Sequence, residues 1–394
     1  MPIVRLKAGH VQPIWAGHPW VYAQAVDRVE GGATAGDEVS VVDPRGNLLG
    51  RGFYSPGSAI PVRIMVRDEK TRLDASFFRT RLERAVAHRA ALGLPSEQTS
   101  GFRQAHAEGD GLPGLIVDRL GDVLSVQLAT IGMKQREALV HEALTTVVAP
   151  RAIVDRTSAQ IAKAEGFEPS AGVVRGDGVR AFEFVERGLR FRVPLELGQK
   201  TGFYFDQRSL RARVEQLAHG KRVLDAYSFV GAFAIAAARG GAREVVAVDE
   251  SALAIEVGAE CAAINGVGDR VKFVKGDARR SLAEARGEFD MVVVDPPRLA
   301  PTRGARDQAL VAYAKLAENA CRATRPGGLL VVCSCSAAVD LAALTRALAT
   351  GAAKVNTEAT VLERWFQGAD HPVPAAFGEG LYLKAVIARV DARA

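Results

Sequence analysis

Along the C-terminal half of the chain, short uninterrupted apolar runs alternate with longer stretches of helical spacing. "RVLDAYS", "EVVAVDE", "VKFVKGDA", "FDMVVVDPP" and "GGLLVVCSCS" read as strands buried on both faces, and "VGAFAIAAARG" and "ALAIEVGAECAAING" as helices between them. This alternation predicts a doubly wound, Rossmann-like α/β domain with a mostly parallel sheet over residues 191–394. Residues 1–72 have a shorter rhythm. "GDEVSVVD", "LLGRGFYS" and "IPVRIMVR" alternate apolar and polar positions, with Gly, Pro and Asp between them, which predicts a small β-barrel. "GHPWVYAQAV" reads as a turn into a further strand. Residues 73–190 mix both rhythms. Asp74 caps an expected helix running through "FFRTRLERAVAHRAAL" to Gly93, with Phe78, Leu82, Ala85, Val86 and Arg89/Ala90 at helical spacing. Strands at "FRQAHA" and "LIVDRLGDVLSVQL", a helix at "KQREALVHEALTTVV", a strand at "AIVDR" and a hairpin turning at Arg187-Gly188 complete an α+β middle domain.

Composition narrows the class. The 394 residues are 48% hydrophobic and 24% charged, ordinary for a globular chain of two or three domains. The formal charge of +6 leans toward a polyanionic partner. Arg79, Arg81, Arg84 and Arg89 decorate the helix after Asp74, either as a solvated face or as an RNA contact. Trp15, Trp20 and Tyr22 read as core or barrel rim, or else as nucleic-acid contacts. Four cysteines make no disulfide framework, and without a CxxC spacing no metal site is expected. The start "MPIVRLKAGH" lacks a signal-peptide core and no apolar run is long enough to span a membrane, so a cytoplasmic protein is expected.

The candidate chemistry lies at the carboxyl ends of the parallel strands, where ligands of such sheets bind. Four successive ends are acidic. The first strand ends in Asp225 and runs into "AYSFVGAFAI", where Gly231 alone remains of a Gly-rich fingerprint. The second ends in Asp249, placed to accept the two hydroxyls of a ribose. The third ends in Asp277, placed to face an adenine amine, and the fourth in Asp295-Pro296-Pro297-Arg298. Taken singly, each is as readily a helix cap or a solvated loop residue. Together they suit a nucleoside with no phosphate to cradle, which is a property of S-adenosylmethionine (SAM).

"LELGQKTGFYFDQRSLR", "DAYSFVGAFA" and "DPPR" resemble one bacterial family of class I SAM-dependent methyltransferases: the 23S rRNA cytosine-5 enzymes with an N-terminal PUA domain. "GDEVSVVDPRGNLLGRGFYSPGSAIPVRI" resembles that PUA domain and "EGDGLPGLIVDRLGDVLSVQL" the family's middle domain. The resemblance covers essentially the whole chain. It implies SAM as methyl donor, ribosomal RNA as substrate (naked or in an assembly intermediate), methylation at a pyrimidine C5, and a homodimer as one arrangement. It also places Lys200, Thr201, Gly202 and Phe203 at the amino-acid end of the donor and Asp206 at its ammonium, with Tyr227 and Ser228 as further contacts of the methionine part.

Two of the four cysteines, Cys333 and Cys335, fall in "VVCSCS" on the strand after "DPPR". A cytosine C5 is a poor nucleophile until a thiolate adds at C6, so the implied reaction needs a cysteine beside the DPP loop. Residues two apart on a strand share a face, Cys333 deeper and Cys335 nearer the strand's end. Cys335, centred in Ser334-Cys335-Ser336 as in the family's motif, is the expected nucleophile and Cys333 apolar filler. The bland alternative is two packed thiols. Arg298 is a candidate for the positive charge that would lower the thiol's pKa. Asp295 either binds the cytosine N3/N4 edge or orders its loop. Arg298 stands where amine-directed enzymes carry a stacking aromatic, which argues against an amino-group target. Three rivals remain: a uracil-5 methyltransferase, although Ser336 replaces the Asn usual there; a non-catalytic RNA-binding assembly factor; and a small-molecule methyltransferase.

Overall fold

A computed structural model of the chain describes residues 1–197, 201–299, 304 and 306–393. They fall into two compact units. One comprises Met1–Gly188, Pro194–Phe205 and Ala369–Gly380; the other comprises Leu189–Val193, Asp206–Gly368 and Leu381–Ala394.

The first unit opens with β1 (Ile3–Leu6), a short α1 (Val11–Trp15), β2 (Trp20–Val21), β3 (Val26–Glu30), β4 (Glu38–Val42), β5 (Leu48–Tyr54) and β6 (Val62–Val66), in one six-stranded sheet ordered β2-β6-β5-β4-β1-β3. The expected strand after "GHPW" is only two residues long, and α1 was not anticipated. Trp15, at its end, is 75% exposed. Next comes α2 (Ala75–Ala91), capped by Asp74, whose carboxylate accepts from the amides of Ser76 and Phe77 at 3.0 and 3.3 Å. A five-stranded sheet, β11-β10-β9-β8-β7, is built from β7 (Gly101–His106), β8 (Leu115–Leu120), β9 (Val123–Leu128), β10 (Ala152–Asp155) and β11 (Gly172–Arg175). Its helices are α3 (Ile131–Lys134), α4 (Glu137–Val148) and α5 (Ala159–Glu165). Phe53, Met65 and Val66 of the first sheet share one core with Phe78 and Leu82 of α2 and Leu115 and Val126 of the second. The helical spacing holds for Phe78, Leu82 and Ala85, but Arg89 departs from the solvated-face expectation. It is fully buried and ion-paired with Asp110 at 2.5 Å. Burial of a guanidinium is tolerable because Arg103 and Asp370 also offer it backbone carbonyls. β12 (Ala181–Glu186) ends this stretch and leads through the turn Arg187-Gly188, where φ is 50° and 80°, the two-residue geometry a twisted hairpin favours, into β13 (Leu189–Pro194), which belongs to the other unit up to Val193.

The second unit contains α6 (Arg208–Leu217), β14 (Arg222–Ala226), α7 (Ala232–Arg239), β15 (Glu244–Asp249), α8 (Ala252–Ile264), β16 (Val271–Lys275), α9 (Ala278–Glu284), β17 (Phe289–Val294), α10 (Arg306–Ala323), β18 (Thr324–Ser334), α11 (Leu341–Ala353), β19 (Thr357–Phe366) and β20 (Lys384–Ala392). All five expected strands are present, in a seven-stranded sheet ordered β16-β15-β14-β17-β18-β20-β19. β16 through β18 run parallel, and the order reverses between β14 and β17. β20 is antiparallel to both β18 and β19. β19 alternates half-buried and exposed residues along its whole length, and β20, although buried from Lys384 through Ala388, opens on a charge.

Register places the chemistry. Ala226 of β14 is level with Val294 of β17, and Val294 with Val332 of β18, so Asp295 and Cys333 emerge side by side at one edge of the sheet. Ser334 is in turn level with Lys384 of β20.

Candidate active site

The loop after β14 is built under strain. Tyr227 and Phe229 have φ of 65° and 51°, and Gly231, the N-cap of α7, has 71°. Two non-glycine residues in the left-handed region cost on the order of 1–3 kcal/mol each, and such positions cluster at ligand sites. Gly231 is needed for space as well as conformation, since a Cβ there would lie 2.6 Å from the Phe273 ring. The loop is held by the Ser228 amide on the Val248 carbonyl (2.9 Å) and by the Phe229 amide on the Asp249 carboxylate (2.9 Å).

The four acidic strand ends differ in character. Asp225 is 1% exposed, and one oxygen accepts from the Ala234 amide in the first turn of α7 at 3.0 Å. Burial, reinforced by the charges of Asp295 and Asp249, pushes its carboxyl up to about 8, against the pull of the Ala234 amide and Arg211. Asp249 accepts from two loop amides, Phe229 and Ser251, both at 2.9 Å. Asp277 caps α9, accepting from the Arg279 amide at 2.7 Å, so the helix-cap role is present there. Asp295 accepts from the side-chain amide of Gln207 at 2.7 Å.

At the end of β18 the triplet separates by exposure. Ser334 and Ser336 are fully buried, while Cys335, one residue beyond the strand, is half-buried. The Tyr313 hydroxyl donates to Ser334 Oγ at 2.9 Å, and the Ser336 amide donates to the same oxygen at 3.3 Å. Buried serines anchor the bend on both sides of a thiol that remains accessible. Cys333 is a packed residue; burial and the nearby Asp295 charge push its thiol well above the ordinary range. Its sulfur lies 4.0 Å from Gln207 Oε1.

Asp206 belongs to this unit and accepts from the Tyr382 hydroxyl at 2.8 Å. Of the preceding residues, Lys200 lies outside the described residues, and Thr201, Gly202 and Phe203 belong to the first unit. There the Thr201 hydroxyl donates to the Asp118 carboxylate, Gly202 (φ 123°) lies against the Phe182 ring, and the Phe203 ring packs edge-to-face with Phe184 and at a tilt to Phe205. The structure thus brings Asp206, Asp225, Tyr227, Ser228, Gly231, Asp249, Asp277, Asp295 and Cys335 into the unit that carries the sheet.

Sequence reasoning passed over Gln207, Tyr313 and Lys384. Gln207 sat unremarked within "FYFDQR". Lys384 opens "KAVIARV", where nothing local in the sequence separates a buried cation from a solvated one.

The strand order and acidic edge define a Rossmann-like methyltransferase domain. A family model described as S-adenosylmethionine-dependent methyltransferase matches residues 106–374, and one described as PUA-like domain matches residues 4–67. The chain is 38% identical to ribosomal RNA large subunit methyltransferase I of Shewanella denitrificans, covering 98% of this chain and 99% of that one. It is 34% identical to the Klebsiella pneumoniae protein of that name, covering 99% and 98%. Among solved structures, that of SMU.776 complexed with SAH has the same fold, with a TM-score of 0.86 at 18% identity over 99% of this chain and 100% of that one. The chain belongs to the SAM-dependent methyltransferase family, among relatives named ribosomal RNA large subunit methyltransferase I. SAM is its methyl donor, and the site fits it. Asp225 Oδ1 and Ser228 Oγ are buried beside the strained loop and find no hydrogen-bond partner among the described residues, as expected of atoms that await a polar ligand.

Proposed function

We propose that this chain methylates C5 of a cytosine in large-subunit ribosomal RNA through a covalent adduct on Cys335. The observation that carries the reading is the accessible Cys335 flanked by two buried, anchored serines, on a sheet edge shared with Asp295. The names of its relatives supply the substrate class.

In this reading Cys335 adds as thiolate to C6 of the ring, forming an S–C6 bond and moving electron density to C5. SAM, when bound, supplies an electrophilic methyl group. After C5 has taken the methyl, a base takes the C5 proton, its electron pair forms the C5=C6 bond, and the S–C6 bond breaks, restoring the thiolate. Asp295 accepts from the cytosine N4 amine, a donor that uracil lacks, while Gln207 holds the carboxylate in place. Asp206, Asp225, Tyr227 and Ser228 line the methionine end of the donor, Asp249 its ribose and Asp277 its adenine. Lys200, Thr201, Gly202 and Phe203 are assigned to the donor by motif alone. Residues 1–72 and 73–190 hold RNA, and residues 191–394 carry the chemistry.

The test is the nucleoside made. Ribosomal RNA from cells lacking the protein, incubated with enzyme and SAM and digested, should yield 5-methylcytidine with wild type and none with Cys335→Ala. A methyl found on an exocyclic amine or on uracil would overturn the assignment.

A further inference from the structure

We propose that Lys384 is a positioning residue for Cys335: its buried ammonium holds the Ser334-Cys335-Ser336 bend from the neighbouring strand and stabilises the thiolate. This rests on the reading of Cys335 as nucleophile.

Lys384 is 4% exposed at the head of β20, directly across from Ser334. Its ammonium donates to the carbonyls of Ser336 and Tyr382, each at 2.8 Å. Among the described residues no carboxylate forms an ion pair with it, and two carbonyls leave one of its three N–H groups without a partner. A buried ammonium lacking a counterion is costly unless another anion is available. The Ser336 carbonyl belongs to the residue following Cys335, so the contact fixes the bend and brings a positive charge beside the thiol. Arg298, the sequence's candidate for that charge, is exposed and therefore more strongly screened.

The electrostatics agree. Burial lowers the Lys384 ammonium to about 8; Cys335 and Asp340 act to raise it, and Arg298 to lower it further. Such coupling is mutual: a thiolate that favours the ammonium is favoured by it. Asp295 and Tyr313 also face this cluster, as does Cys333, whose thiol burial keeps neutral. Of these groups, Lys384 is the one buried cation.

The test follows the Cys335 thiol itself, in the full chain without RNA. The rate of iodoacetamide alkylation against pH is measured for wild type, Lys384→Met and Lys384→Arg, with Cys335→Ala as the blank. Lys384→Met should raise the thiol pKa by about 1 unit or more, and Lys384→Arg should restore most of the loss. SAM affinity near the wild-type value shows that the variants are folded. Should Lys384→Met fail to fold, the ε-carbon titration of Lys384 in ¹³C-lysine-labelled chain serves instead. It should move to lower pH in Cys335→Ala. Superimposable alkylation profiles, or a lysine titration indifferent to Cys335, would overturn the proposal. The nucleophile reading fails separately, if Cys335→Ala still yields methylated cytosine.

Discussion

Asp225 shows how far one buried group can set the behaviour of the site. Its folded-state carboxyl titrates near 8 against an ordinary value of 3.8, mainly through burial. Between those values the folded chain keeps a proton that the unfolded chain releases, so this residue's contribution to stability declines as pH rises through that window. Asp225→Asn removes the dependence. In urea unfolding of the ligand-free chain, the variant should gain on wild type by roughly 1–3 kcal/mol between pH 5 and pH 8. A gap that stays constant over that range would show that Asp225 is ionised in the folded state. The same buried proton predicts that SAM binding near pH 7 releases protons, seen in calorimetry as a dependence of the binding enthalpy on buffer. Residue types were legible in the sequence wherever strand ends repeated an acidic residue. Lys384 and Arg89 were not, because a buried cation looks like a solvated one until its carbonyl partners, distant along the chain, are seen.

The elements that position the site follow from apolar pattern. β14, β15, β17 and β18 were legible because helices cover both faces of a parallel sheet and leave near-continuous apolar runs; β16, the outermost strand, is an exception to the both-face expectation, with only Val271 fully buried. β19 and β20 escaped notice because the edge strand alternates with charged residues and its partner begins with Lys384. The loop after β14 was visible only through Gly231; the left-handed Tyr227 and Phe229 leave no mark in the sequence. Gly231→Ala should destabilise the chain by about 1–3 kcal/mol in thermal unfolding and weaken SAM binding, since its methyl meets Phe273 and its backbone stays left-handed. Unchanged stability would mean that the loop is not pinned as described. At the end of β18, anchoring through Tyr313 predicts that Tyr313→Phe retains SAM affinity but lowers the methylation rate by about tenfold, the scale of a misplaced reacting group. A rate equal to wild type would remove Tyr313 from the positioning of Cys335.

Taken together, a positive charge balance and three rhythms along the chain lead to the expectation of an RNA partner. The first 188 residues prove more tightly joined than rhythm suggested: the two sheets there share a core through Phe53, Met65 and Val66, a contact that no local pattern encodes. On the exposed side of α2, Arg79 and Arg84 remain in solvent. If this unit holds phosphates, replacing both with Ala should weaken RNA binding and flatten its salt dependence by about 1 per lost contact, with SAM affinity unchanged. Equal salt slopes would confine them to a solvated face. A bond between Cys335 and a pyrimidine can be trapped. RNA carrying 5-fluorocytosine has no C5 proton to release, so after methyl transfer the adduct should persist. Peptide mapping by mass spectrometry should place the nucleotide on Cys335, in wild type and in Cys333→Ala alike, with none formed by Cys335→Ala. A nucleotide found on Cys333, or an adduct that survives loss of Cys335, would contradict the account.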